Sequence, residues 1–209
     1  MTHGSQTFAA DWARGCRELA RADQVIEDLI ARYSGERLEP HGDVFHTLVR
    51  AVVGQQISVM AAEQIWSRVL ALLGPVTPGC IAKADLEALR NCGLTVRKTA
   101  YLAGLADHVA AHPDSWGCVP DLDDVALERA LTDLRGVGPW TAQMAMIFAL
   151  GRLDELPSAD IGLQRVAAER YGIARSAASL TQLAEGWRPW RTIAIWYLWR
   201  DLDPVPVAY

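Results

Sequence analysis

The chain has 209 residues, of which 51% are hydrophobic, and it carries a formal net charge of −5 at pH 7. This length suffices for one compact unit or two small lobes with a sizeable core. No apolar run approaches the length of a membrane span, so a soluble globular chain is expected. The acidic balance argues mildly against a general nucleic-acid binder, although the charge of a whole chain says little about one face.

Composition also bears on the compartment. The N-terminal segment lacks the apolar stretch of a signal peptide, so nothing suggests secretion, and a cytoplasmic location is expected. The spacing of the cysteines fits neither a zinc site nor a disulfide framework, which favours a reducing compartment. The four cysteines are Cys16, Cys80, Cys92 and Cys118.

Apolar residues at helical spacing predict helices along the whole chain. In the first, Gly15 is a candidate break, whereas Asp43 and Ser58 are predicted caps of the next two helices. Gly and Pro residues at 74–79 predict a turn. No segment shows sustained period-two alternation, so the fold class is predicted to be all-α. The helices are expected over about 6–33, 44–53, 58–73, 85–90, 95–111, 121–133, 140–150, 160–170, 176–185 and 188–200.

A Gly-x-Gly sequence, Gly136-Val137-Gly138, precedes the apolar helix that starts near Trp140. Glycines allow a tight turn with positive φ, and the bare N–H groups at a helix start favour a phosphate. From the two glycines alone, an ordinary turn between core helices is the commoner explanation.

The longer sequence around these glycines is more informative. Residues 134–142 (LRGVGPWTA) resemble the hairpin of the helix-hairpin-helix DNA glycosylases, and Asp160 opens the next helix. Residues 49–58 (VRAVVGQQIS) and 188–191 (RPWR) resemble the alkylbase branch of that superfamily, the DNA-3-methyladenine glycosylase II type. These blocks occur in the same order as in the family.

The resemblance implies a two-lobed helical fold with the active cleft between the lobes. Residues 43–153 would form the central lobe, which ends in the helix-hairpin-helix. Residues 1–42 and 154–209 would form a composite lobe from both termini. The N-terminal β-domain of some relatives is expected to be absent, because few residues precede the core.

Asp160 is the catalytic residue that the resemblance implies, although an aspartate at a helix start is by itself most often a cap. Breaking an N-glycosidic bond builds positive charge on the deoxyribose, and a fixed carboxylate stabilises that charge. The helix terminus is expected to keep Asp160 ionised.

Trp140 stands where bifunctional relatives similar to endonuclease III carry a Schiff-base lysine, so no strand-cleaving lyase chemistry is expected. Its indole suits a flipped, positively charged alkylated base. Met144, Gln55 and Trp196 are further candidates for the base pocket, with core packing as the alternative for any tryptophan. No cysteine follows Cys118, so the iron–sulfur cluster of endonuclease III relatives is not expected.

The resemblance also implies the DNA contacts. Gln56 would be the wedge that fills the gap left by the flipped nucleotide. The amides of Gly136, Gly138 and Thr141 would bind a phosphate, with the Thr141 hydroxyl as an addition. A monovalent cation, sodium or potassium, would bridge to the phosphate from carbonyl oxygens, which suit a hard cation. Those carbonyls are Thr132, Leu134 and Val137.

The predicted function is therefore that of a monofunctional DNA glycosylase, a monomer that releases alkylated bases such as 3-methyladenine and 7-methylguanine from double-stranded DNA in base excision repair. The first alternative is a non-catalytic helix-hairpin-helix module, which would have no use for the carboxylate of Asp160. The second is a glycosylase for oxidised or mismatched bases, against which Trp140 and the missing cysteine cluster weigh.

Overall fold

The computed structural model describes residues 3–203, with side chains from residue 7 onward. These residues form helices, turns and loops without any strand, which confirms the all-α class. They divide into two compact units, one of residues 41–150 and one of residues 3–40 with 151–203. The predicted limits of 43 and 153 lie within three residues of this division. Residues 1–2 and 204–209 of the predicted composite lobe lie outside the described residues.

The helices follow one another with short connections. In chain order they are α1 (His3–Ala22), α2 (Gln24–Arg32), α3 (Val44–Gly54), α4 (Val59–Leu73), α5 (Pro78–Lys83), α6 (Leu86–Asn91), α7 (Val96–Ala111), α8 (Pro113–Gly117), α9 (Asp124–Thr132), α10 (Pro139–Met144), α11 (Ile161–Tyr171), α12 (Ala177–Ala184) and α13 (Arg191–Leu202). Two 3-10 turns span Val119–Asp121 and Glu185–Trp187, and a π-helical segment spans Ala145–Ala149.

Helix α3 is the central element of the 41–150 unit. Its side chains are buried on nearly every side, including Phe45, Leu48 and Val52, because α4, α7, α10 and the π-helical segment pack around it. A helix that is apolar all round is stable only in such a position. The Asp43 carboxylate accepts the His46 amide at 2.8 Å, so the predicted cap is confirmed.

In the other unit, α13 packs against α1, α2 and α11. The predicted break at Gly15 is wrong, because α1 continues through it. A Cβ at Gly15 would lie 2.8 Å from Cδ2 of Trp190, so this glycine permits close packing. The chain breaks instead at Asp23, which caps α2 by accepting the Ile26 amide at 3.1 Å.

Two further segments differ from the sequence-based expectation. Part of the turn predicted at 74–79 belongs to α5, which begins at Pro78 with Thr77 as its cap. The helix predicted from 140 to 150 changes from α to π geometry at Ala145, where the Leu150 amide bonds the Ala145 carbonyl five residues earlier. Both segments are too short for side-chain periodicity to reveal them. Within residues 3–203, no helix has the length and apolarity that crossing a membrane requires.

Candidate functional site

The hairpin between α9 and α10 contains two glycines with different tasks. Gly136 has φ +92°, and a Cβ there would lie 2.5 Å from Cδ2 of Tyr101. Both the backbone conformation and the packing therefore require glycine. Gly138 has φ −92°, which any residue adopts, so the expectation of positive φ is correct for Gly136 and wrong for Gly138.

Gly138 is exposed and caps α10, and apart from its two chain neighbours no residue has an atom within 4 Å of where a Cβ would lie. Nothing inside the protein thus requires a glycine at this position. The missing side chain leaves the backbone bare towards the outside of the hairpin. A ligand can therefore approach the amides of the first α10 turn, which have no intrahelical partners.

Gln55 lies in the loop 55–58 between α3 and α4, which we call the glutamine loop. Its Nε2 donates to the Gly136 carbonyl at 3.0 Å and to the Thr141 hydroxyl at 2.9 Å. The side-chain amide of Gln55 thus joins the glutamine loop to the hairpin. The assignment of Gln55 to the base pocket stays a prediction, and the structure adds this second role.

Thr141 is 2% exposed, and its hydroxyl accepts the Gln55 amide. Accepting this bond leaves the hydroxyl its own hydrogen to donate, so the contact of the Thr141 hydroxyl with a phosphate stays a prediction. The Thr141 backbone amide, in the first turn of α10, stays a predicted phosphate contact.

Gln56 is exposed and has φ +58°, and no other non-glycine residue in the described range has a positive φ. Just before it, the Lys98 ammonium donates to the Val53 and Gln55 carbonyls, each at 2.8 Å. A cation at the C-terminal end of α3 is favoured by the helix dipole. Burial lowers the pKa of Lys98. The role of Gln56 as wedge stays a prediction.

Trp140 is the second residue of α10 and is half-buried. Met144 is four residues further along the same helix, one turn away, and is 1% exposed. The π-helical segment begins directly after Met144. Segments of this kind often occur at functional positions, because they change the direction in which the following side chains point. Contact of either side chain with a base stays a prediction.

Asp160 caps α11 and is half-buried. Its Oδ1 accepts the Leu163 amide at 2.7 Å, and its own amide donates to the Pro157 carbonyl at 2.9 Å. The Gln164 side chain donates to the Ser158 carbonyl at 2.7 Å and braces the same turn. These local bonds fix the direction of the carboxylate before any substrate binds.

Gly162 leaves the space that this arrangement needs. A Cβ there would lie 3.2 Å from Asp160 Oδ1 and 2.8 Å from Leu202 Cδ2. A side chain at this position would push against the carboxylate or against α13. The missing side chain of Gly162 therefore leaves room for both the Asp160 carboxylate and Leu202, which sequence reasoning missed.

Trp196 is buried in the core of its own unit. Its ring lies edge-on to Trp12 with centroids 5.5 Å apart, and to Tyr197 at 5.0 Å. This packing gives Trp196 a structural task, and its place in the base pocket stays a prediction.

The two arginines of the 188–191 block pair with one carboxylate. Arg188 Nη1 lies 2.8 Å from Asp154 Oδ2, and Arg191 Nε lies 2.7 Å from Asp154 Oδ1. Both arginines thus form ion pairs within the protein.

The three carbonyls expected to hold a cation lie at the end of α9 and in the hairpin. Thr132 is the last residue of α9, and the last carbonyls of a helix lack intrahelical partners. The Leu134 carbonyl accepts the Val137 amide at 3.0 Å, which leaves it a second lone pair. The binding of a monovalent cation by these carbonyls stays a prediction. Among residues 3–203, no group of three or more His, Cys, Asp or Glu side chains is placed to hold a metal ion.

Comparison with known proteins assigns the family. The family described as HhH-GPD superfamily base excision DNA repair protein matches residues 49–191. The chain belongs to this superfamily. The matched HhH-GPD region contains the glutamine loop, the hairpin and Asp160.

Several HhH-GPD relatives are similar over most of their length. The 3-methyladenine DNA glycosylase Mag1 of Schizosaccharomyces pombe, solved in complex with abasic DNA, has a TM-score of 0.81 and 25% identity, with 94% of this chain and 100% of that chain covered. The DNA-3-methyladenine glycosidase of Bacillus halodurans has a TM-score of 0.71 and 32% identity, with 89% and 87% covered. The alkylbase DNA glycosidase-like protein mag2 of S. pombe is 27% identical, with 91% and 94% covered.

Sequence reasoning missed several residues that shape this HhH-GPD site. Lys98 and Tyr101 support the glutamine loop and the hairpin from α7, far away along the chain. The scarcity of lysine was the one available signal, because Lys83 is the only other lysine in the chain. Nothing local marks Tyr101 or Gly162.

Proposed function

We propose that this protein is a monofunctional DNA glycosylase that hydrolyses the N-glycosidic bond of alkylated bases in base excision repair. The observation that carries the proposal is the fixed carboxylate of Asp160 at the start of α11, inside the region that matches the superfamily. Relatives named as 3-methyladenine glycosylases support the substrate class.

Asp160 supplies the negative charge that this reaction needs. As the bond to the base lengthens, positive charge develops on the deoxyribose, and a preorganised carboxylate stabilises it without first having to reorient. The Leu163 amide and the turn from Pro157 hold that carboxylate in one direction. The same group is suited to orient the attacking water.

Trp140 supports both the substrate class and the absence of lyase chemistry. An indole cannot form a Schiff base with the sugar, so the products are a free base and an intact abasic strand. A cationic alkylated purine over the indole face gains about 0.5–2 kcal/mol. This preference favours 3-methyladenine and 7-methylguanine over neutral bases.

Duplex DNA is the partner that the hairpin suits. Gly138 presents a bare backbone, and the amides of Gly136, Gly138 and Thr141 would contact one phosphate. A monovalent cation held by the Thr132, Leu134 and Val137 carbonyls would add positive charge beside that phosphate. The solved complex of Mag1 with abasic DNA supports DNA as the partner.

Duplexes that each carry one defined lesion test the proposal. We expect the protein to release 3-methyladenine and 7-methylguanine and to leave strands that break only after alkali treatment. Borohydride should trap no protein–DNA adduct. Binding without release of any base would favour a non-catalytic module, and release of 8-oxoguanine alone would overturn the substrate class.

A further inference from the structure

The backbone of the glutamine loop is held in an unfavourable conformation. Gln56 has φ +58°, and in this left-handed region the Cβ of a residue with a side chain comes too close to the following carbonyl oxygen. Such a residue persists only where its surroundings determine its geometry. The contacts on the neighbouring residues therefore decide where the Gln56 side chain points.

Lys98 provides the first of these contacts. Its ammonium holds the Val53 and Gln55 carbonyls at 2.8 Å each, at the point where α3 ends. This fixes the main chain of Gln55 immediately before the left-handed residue.

The side chain of Gln55 provides the second contact. Its Nε2 donates to the Gly136 carbonyl and to the Thr141 hydroxyl. Both acceptors are held by packing, because Gly136 lies against the Tyr101 ring and Thr141 is buried. A displacement of the hairpin would therefore move Gln55 and, with it, the start of the strained turn.

We propose that Gln55 is a positioning residue that couples the hairpin to Gln56. When the hairpin holds a backbone phosphate, the Gln55 amide sets the direction in which Gln56 enters the duplex. The inference rests on the proposed DNA-binding role of the hairpin and of Gln56. It assigns Gln55 a role in distinguishing gapped from intact duplexes, apart from any contact with the base.

The test uses the full-length protein and a duplex in which 2-aminopurine adjoins a tetrahydrofuran abasic analogue, so that fluorescence reports entry of Gln56 into the stack. Gln55→Met removes the amide at similar size, and Thr141→Val removes one acceptor but keeps the backbone amide. We expect each variant to lower the fluorescence change and the preference for the abasic duplex, by about five- to tenfold for Gln55→Met. Affinity should fall more for the abasic duplex than for undamaged duplex, because the hairpin amides are unchanged.

Three variants serve as references. Gln56→Ala defines the signal without a wedge. Thr99→Val removes a buried hydroxyl of α7 that bonds the Thr95 carbonyl, and Gln24→Met removes an exposed amide of α2. Both should behave as wild type. Thermal unfolding verifies that each variant is folded. If Gln55→Met does not fold, the fluorescence test is made with Thr141→Val.

A double-mutant cycle decides the outcome. If Gln55 acts through the hairpin, Gln55→Met combined with Thr141→Val should lose no more preference than Gln55→Met alone. Additive losses, or a wild-type fluorescence change in Gln55→Met, would overturn the coupling. Base release by the wild type is measured in parallel. Absence of release would refute the proposed enzyme, whereas release with unchanged fluorescence in Gln55→Met would refute only the coupling.

Discussion

Two regions of the protein reach a defined geometry by different means. One is the glutamine loop together with the hairpin, and the other is the segment 156–164 around Asp160. The first depends on side chains far apart in sequence, since Gln55 bonds groups 81 and 86 residues away. The second uses near neighbours in sequence, since the Asp160 carboxylate accepts the Leu163 amide and the Asp160 amide donates to the Pro157 carbonyl. The direction of the carboxylate is thus a local property, whereas the proposed DNA-binding geometry is a property of the folded unit. Changes in the packing of the 41–150 unit should affect DNA binding before they affect the carboxylate.

Gly136→Ala should have the largest effect on stability, because alanine fits neither the positive φ nor the space beside Tyr101. Positive φ and contact with the Tyr101 ring together should lower the free energy of unfolding by about 2–4 kcal/mol. Urea denaturation measures this loss. A variant with wild-type stability would show that the hairpin does not depend on its packing against α7.

Gly162→Ala is the corresponding glycine-to-alanine substitution in the segment 156–164 around Asp160. Gly162 is the second residue of α11, and the Cβ of alanine would also meet Leu202 Cδ2, so the free energy of unfolding should change by no more than about 1 kcal/mol. The Cβ would displace the Asp160 carboxylate, and we expect single-turnover base release to fall about tenfold, or about 1.4 kcal/mol in barrier height. Binding to abasic DNA should be unchanged. A wild-type rate would show that the direction of Asp160 does not limit the reaction.

Gly138→Asn tests whether glycine is needed at this position for the approach of a ligand or for packing within the protein. Asparagine is a good helix cap and its Cβ has open space there, so the free energy of unfolding should stay within about 0.5 kcal/mol of wild type. Its side chain would obstruct a phosphate, and affinity for damaged and undamaged duplexes should fall alike, about three- to tenfold. Loss for the damaged duplex alone would contradict the role of Gly138.

The salt dependence of binding should show the smallest effect. The acidic chain is proposed to hold DNA by the hairpin amides, one cation and a few arginines. The logarithm of affinity should therefore fall with that of salt concentration as though about two to five phosphates were neutralised. A broad basic surface would neutralise about six to ten. Fluorescence anisotropy titrations at several potassium chloride concentrations distinguish the two.

The same contrast explains how much the sequence could predict. Caps depend on one polar side chain and the next helical turn, so Asp43 and Ser58 were predictable, and both accept the expected amides. The superfamily followed from sequence blocks that keep their order. The direction of the Gln55 amide and the contact of Tyr101 with Gly136 depend on which helices meet. No local pattern contains that information.

Glycines show this limit most clearly, because the residue is the same and the reasons differ. Gly15 permits close helix packing, and Gly136 combines positive φ with close packing. Gly162 leaves room for the Asp160 carboxylate. The sequence predicted a helix break at the first and positive φ at the second, and it indicated nothing about the third. The sequence contains no signal for the π-helical segment either, because this segment changes only the hydrogen-bond pattern within an apolar run.

Single-turnover release of 7-methylguanine by Asp160→Asn tests the central claim most directly. Asparagine caps a helix as well as aspartate does, so Leu163 should keep its partner and the fold should be preserved. Loss of the negative charge should slow release at least about 100-fold, while binding to abasic DNA stays within about tenfold. Release at the wild-type rate by a folded Asp160→Asn protein would contradict the assignment of Asp160 as the catalytic carboxylate.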